Sequence, residues 1–185
     1  GKFIWDDIGN MVLDSIGGTI TARNASIRYI GGMPNVENVD ADGTFDLDHM
    51  DINVAKGGIG ALKLQPFVIE MTDFMQNVQN IHIPLRIEGP VRDVIKFLDE
   101  PALGYASAVG LRADDGSGKV EGTVDLRFPM LNAILMKDID YKATAKITDF
   151  AAKKMVPGIE ISRGNLSLSL DKAGFSLKGP ASLNE

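Results

Sequence analysis

Five aspartates, Asp40, Asp42, Asp46, Asp48 and Asp51, lie close enough together to raise the question of a calcium loop. Such a loop needs ligands at its third and fifth places, a glycine at its sixth and a glutamate at its twelfth. Counted from Asp40, Gly43 comes fourth, the fifth place holds no carboxylate, and no glutamate stands at the twelfth. What remains, Asp46 and Asp48 alternating with Phe45 and Leu47, is the pattern of a strand with one wetted face. The two histidines, His49 and His82, fall at a predicted turn and on a predicted polar strand face, where a zinc site would need carboxylates to complete it. Ser107 sits in YASAVG, which lacks the Gly-x-Ser-x-Gly elbow of a nucleophile, and the chain has no cysteine. The glycines of KGGIGALK lack the Lys-Ser/Thr ending of a phosphate loop and read as a β-bulge. Nothing singles out an acid–base pair among the 25 acidic residues. The chain is therefore expected to be no enzyme, with no catalytic residue, metal or cofactor.

Function must then come from shape, and shape from the elements. The 185 residues suit one globular domain with a real core, and 44% hydrophobic with 24% charged residues exclude both disorder and a membrane-spanning composition. Nineteen basic residues against 25 acidic ones give a net charge of -6 without a basic footprint, so a nucleic-acid partner is not expected. The absence of cysteine excludes a disulfide framework and a thiolate metal site. There is no basic start followed by a long apolar centre in Gly1 to Gly17. Whatever targets or anchors the protein is expected to lie outside these residues, which read as a piece of something longer.

One stretch, Gly89 to Leu111, turns from a two-residue to a helical period. Val91, Val94, Ile95 and Leu98 fall on one stripe, opposed by Arg92, Asp93 and Lys96. Pro90 suits the first turn, Pro101 closes the helix, and a second short helix is predicted over Ala102 to Val109. Phe3 to Ser15 also has helix-like spacing, at Ile4, Ile8, Met11 and Val12.

Elsewhere the chain alternates. Strands are predicted over Thr19–Ile30, Thr44–Asp48, Met50–Val54, Ala61–Gln65, Phe67–Thr72, Asn80–Glu88, Lys119–Phe128 and Lys137–Thr148, then around Ile159 and Ile161, Leu166 to Leu170, and Phe175 with Leu177. Pro84 lacks a ladder donor, which places its strand at an edge or a bulge. Short turns favour an antiparallel meander. A faint echo links Met33-Pro34 with its following hairpin to Val156-Pro157 with its own, as structural repeats would. The expected fold is mainly β with a short helical insert (α+β): a curved antiparallel meander, groove-like or half-barrel, with helices against its apolar face. Residues 1–185 form one domain, divided into a first β half (18–88), the helical insert (89–111) and a second β half (119–180).

Two or three helices, each about 10 Å across, cannot roof roughly ten strands spaced at about 4.8 Å. The apolar face must be closed by a second sheet, by a barrel, or by a ligand in an open trough. Aromatic residues make up only 6%, which favours a smooth trough floor. The floor candidates are Ile83, Leu85, Ile87, Val124, Leu126, Phe128, Tyr141, Ile147, Leu166, Leu168, Phe175 and Leu177, with Val91, Val94, Ile95 and Leu98 as a helical plug.

The run RIEGPVRDVIKFLDEPALGYASAVGL, together with Trp5, the segment ASIRYIGGMPNVENVDADGTFDLDHMDINV, and the strands GTVDLRFPM and GNLSLSLDKAGFSLKGPA, resembles the central region of the large AsmA-like envelope proteins of the YhdP type, related to the TamB-like β-groove lipid-transfer proteins. The resemblance runs from about Trp5 to Pro180. It implies a repetitive β-groove segment of the Gram-negative periplasm, tethered to the inner membrane elsewhere in its chain. Such a segment shelters phospholipid acyl chains in transit between inner and outer membranes, beside neighbouring domains of the same chain and other envelope proteins. It carries over no catalytic residue. The rival expectation is a non-catalytic structural or protein-interaction module whose core is filled by its own side chains.

Overall fold

A computed structural model describes residues 1–5, 8, 10–29, 32–101, 103–108, 112–131, 134–156 and 159–184. Its strands are β1 (Lys2–Trp5), β2 (Met11–Ser15), β3 (Gly18–Ile27), β4 (Val36–Phe45), β5 (His49–Ile59), β6 (Leu62–Gln65), β7 (Phe67–Thr72), β8 (Asn80–Pro90), β9 (Gly116–Pro129), β10 (Asp140–Val156), β11 (Ile159–Asp171), β12 (Gly174–Lys178) and β13 (Ser182–Asn184). Helices α1 (Val91–Leu98) and α2 (Tyr105–Ala108) join β8 to β9.

Eleven strands build one curved, open antiparallel sheet in the order β12-β11-β10-β9-β8-β6-β5-β4-β3, while β1 and β2 pair only with each other. The meander expectation holds along most of this path. Two lanes are shared by two short strands each: β6 and β7 both run between β5 and β8, and β12 and β13 both pair with β11. Every substantial strand–strand contact is between neighbours in a ladder, so the sheet is one layer thick, neither a sandwich nor a barrel. The accessible surface of 12167 Å² confirms the open shape. A compact chain of this mass would expose only about 8,700 Å² by the usual size scaling.

Register places the apolar residues of all nine lanes on one face. Across the sheet, Phe45 opposes Met50, Ile52 opposes Ile69, Ile83 opposes Leu126, Leu126 opposes Tyr141, and Ala145 opposes Leu168. The sheet curls toward this face, because Val39, Ala41 and Val54 are buried although only neighbouring strands surround them.

The N-terminal helix expected over Phe3 to Ser15 is a β-hairpin instead. Lys2–Trp5 pairs with Met11–Ser15, and its Phe3, Trp5 and Met11 are exposed. The spacing that suggested a helix rests on Ile4, Ile8, Met11 and Val12, but Ile8 falls in the turn and Met11 opposes Trp5 in the ladder. Asp46 to Asp48 is likewise a turn rather than an alternating strand: the Asp46 carboxylate accepts the backbone N–H groups of Asp48 and His49, both at 2.9 Å. Pro84 is not at an edge, but it faces a bulge: between the pairs Gln65–Arg86 and Glu70–His82, residues 66–69 of the neighbouring lane oppose only 83–85. β8 lies inside the sheet, and on the β6/β7 side its pairing skips from His82 to Arg86, so Pro84 faces the interruption at Pro66 where no donor is needed.

The repeat hinted at in the sequence is real in backbone geometry, at an offset of 125 residues rather than the 123 that the Pro34 and Pro157 echo suggests; Pro157 itself lies outside the described residues. The pairs Gly18–Phe45, Ala22–Ala41, Ala25–Val39 and Ile27–Val36 of β3 and β4 recur in β10 and β11 as Ala143–Leu170, Ile147–Leu166, Phe150–Gly164 and Ala152–Ile161. Both hairpins carry left-handed bulge residues at matching places, Asn24 and Asn38 in the first (φ 51° and 55°), Asp149 and Arg163 in the second (φ 52° and 53°). The Asn24 N–H donates to Asp40 Oδ1 at 2.8 Å, and the matching Asp149 N–H to Asn165 Oδ1 at 3.4 Å. The turn recurs as well, with Ala173 N–H donating to Asp171 Oδ1 at 2.8 Å just as Asp48 does to Asp46.

Candidate functional site

Among the described residues, the apolar face is a concave floor covered at one end only. Helix α1 starts from the extended Pro90, and its last turn closes with the Asp99 N–H donating to Ile95 O at 3.0 Å. The Asp99 carboxylate accepts the Ser107 N–H at 2.8 Å, which ties α2 against α1. Val91 and Ile95 are buried over Val120, Phe150, Ala152 and Leu166, with Val94 and Leu98 packed alongside. Gly116 permits that approach, since a Cβ there would lie 2.9 Å from Ile95 Cδ1. The predicted plug residues therefore do act together, as a wall over the β9–β11 end of the floor. The second predicted helix is one turn, Tyr105–Ala108; Ala102 and Val109 lie outside the described residues.

Of the predicted floor residues, Ile83, Leu85, Ile87, Val124, Leu126, Phe128, Tyr141 and Leu168 share the open part of the face and are half-buried, with no layer of described residues above them. Leu177 lies at the sheet's rim, 37% exposed, and the Phe175 backbone pairs with Leu170 in the same register, its side chain being outside the described residues. Leu166 and Ile147 belong elsewhere. Both sit in the packed cluster beneath α1, so the helix covers them.

The sequence reading missed the other half of the floor: Met50, Ile52 and Val54 on β5, Phe67, Ile69 and Met71 on β7, and Ile20, Ala22, Val39 and Ala41 on β3 and β4. Its alternation was visible, but only the register shows that it faces the same way as β8–β11. A lip of exposed apolar loops was also missed. Met75 and Val78 precede β8, Met130, Leu131, Ile134 and Leu135 follow β9, and the two loops are tied by the Met130 N–H to Gln79 O at 2.8 Å. This lip borders the end of the floor opposite α1.

The outer face carries the charges. His82 Nδ1 lies 2.8 Å from Glu70 Oε2 and its Nε2 2.8 Å from Asp125 Oδ2, joining β7, β8 and β9. Arg127 Nε holds the other oxygen of Asp125 at 3.0 Å. With both imidazole nitrogens donating, the nearby Arg127 Nη2 finds no acceptor on the ring. Hydrogen bonds to Glu70 and then to Asp125 raise the His82 pKa, and the bond from His82 holds Asp125 below the usual carboxylate range. Asp42 is held low by Arg23, and Asp40 by the Asn24 N–H and Lys56. The aspartate cluster thus splits into separate strand and turn partners, and among the described residues no group of carboxylates and histidines is arranged to hold a metal ion. No helix among those residues is long and apolar enough to cross a membrane.

Comparison of the chain with protein-family models, curated proteins and solved structures finds no match.

Proposed function

We propose that this domain shelters the acyl chains of a phospholipid on its concave apolar face and hands them along between two membranes. One observation carries the reading: a sheet a single layer thick keeps its apolar side chains on one inward-curving face, and the described residues cover only one end of that face. Burying each methylene is worth about 0.8 kcal/mol, so a bare floor of this kind is satisfied by an apolar guest. The size suits one. Fourteen residues of β9 span roughly 46 Å and nine lanes roughly 40 Å, against about 15 Å for half the hydrocarbon core of a bilayer. The polar outer face keeps the protein wetted while the headgroup stays in water at the mouth. The resemblance to AsmA-like envelope proteins supports a periplasmic setting, with attachment to the inner membrane through segments outside these residues; both belong to the same proposal.

Native mass spectrometry of the protein from a bacterial host, with lipid extraction of the same sample, tests it. Bound phospholipid is expected, and Leu126→Asp on the floor should abolish it while Thr123→Asp on the outer face leaves it. A lipid-free mass with no uptake of added phospholipid, or equal binding by both variants, refutes the trough.

A further inference from the structure

The repeat assigns a partner to an edge that has none among the described residues. β10, the counterpart of β3, pairs with β11 on one side and with β9 on the other, from Asp140–Arg127 to Ala152–Gly116. β3 has the matching pair to β4, but no described strand takes the place of β9. Its ten residues form a long free edge. The floor stops there abruptly, with Ile20 43% and Ile27 42% exposed on the apolar side. Unpaired edges of this length invite strand addition, and natural sheets usually blunt them with prolines or inward-pointing charges. β3 has neither on its apolar face, and its bulge at Asn24 is no bar, because β10 carries the same bulge at Asp149 and still pairs with β9 on both sides of it.

We propose that the β3 edge is a strand-addition site for one antiparallel strand of alternating apolar and polar residues, the kind β9 is, supplied by another polypeptide segment. The offset of 125 fixes its register. The position that Val120 holds opposite Ile147 comes to lie opposite Ala22, Gly122 opposite Ile20, and Thr123 opposite Thr19. The added strand then continues both the ladder and the floor. The repeat also specifies charge: Lys119 opposes Thr148 in the second repeat, but the equivalent of Thr148 is Arg23. Like charges directly opposed are unfavourable, so the partner carries an acidic or neutral residue at that place. This inference stands apart from the lipid reading, since it follows from the backbone repeat alone.

The probe is a synthetic peptide of residues 116–129, offered with its native sequence and with Lys119→Glu. Amide hydrogen exchange of the intact protein should slow at residues 18–27 and not at 174–178, and the Lys119→Glu peptide should bind at least several-fold more tightly. In the protein, Ile20→Lys should abolish this protection while Thr19→Lys, on the other face of the same strand, keeps it. No protection of β3 at millimolar peptide, or equal affinity of the two peptides, overturns the proposal. So does a mass in analytical ultracentrifugation indicating that β3 is already taken by β3 of a second copy.

Discussion

The two repeats use one backbone for opposite ends. In the second, Ile147, Phe150 and Leu166 are large and lie beneath α1, and Gly164 stands across the ladder from Phe150, which is only 4% exposed. In the first, the equivalent positions are Ala22, Ala25 and Ala41, with Val39 in place of the glycine, and no described element lies above them. Bulges, turn and register match. The difference is side-chain volume and the presence of a helix: the second hairpin is buried beneath α1, and the first by small side chains curled against its neighbouring strands.

The sharpest way to break that comparison is to exchange sizes. Phe150→Ala should cost about 3–5 kcal/mol in denaturant unfolding, because it empties a packed site, whereas Ala25→Phe should cost under about 1.5 kcal/mol, because no layer opposes the new ring. Similar losses would mean that the first repeat is as tightly filled as the second. Ile95→Ala comes next, expected to lose about 2–4 kcal/mol and to raise hydrogen exchange in β9–β11 while leaving β3–β5 unchanged. Exchange rising equally in both repeats would show that α1 supports the whole sheet.

A smaller effect should separate neither repeat from the other, because it acts at their junction. The folded-state pKa of His82 is raised above its unfolded value of about 6.5, so its stabilising contribution is complete below that pH and is lost as pH rises through the folded value. Thermal midpoints should therefore fall from mildly acidic to alkaline pH, and His82→Gln should flatten that slope. Asp125 acts in the other direction, its contribution being present above the ordinary carboxylate pKa and lost as pH falls through its lowered one. The smallest difference is expected at the bulges. Asp40→Ala removes the 2.8 Å bond to the Asn24 N–H and should lower the thermal midpoint more than Asn165→Ala, whose bond is 3.4 Å long.

Alternation made most of this fold legible. The periodicity of Ile81, Ile83, Leu85 and Ile87, and of Val120 to Phe128, locates the strands and their apolar side, and the stripe from Val91 to Leu98 locates the helix. What it could not carry was pairing. Pro84 allows an edge or a bulge, and only the pairing shows that it is in an interior strand facing the register shift around Pro66. Nothing local in Leu166 says that a helix from β8 will cover it, so a covered residue was read as open floor. The hairpin at Lys2–Ser15 failed for a related reason: a short apolar stretch fits both periods, and the β1–β2 ladder decides between them.

A sheet whose described strands make their substantial contacts with their ladder neighbours has no shared centre to hold it together all at once. Its stability adds up lane by lane, as in a solenoid, with interfaces rather than a single core as the units. Unfolding should then spread inward from the β3 edge, where little is buried, toward the α1-clamped strands, which should be the last to open. Refolding should nucleate on those same strands and grow outward. The molecule behaves as a short linear polymer of hairpins, and its melting transition is expected to be broad, with exchange rates graded along the strand order rather than falling in one cooperative step.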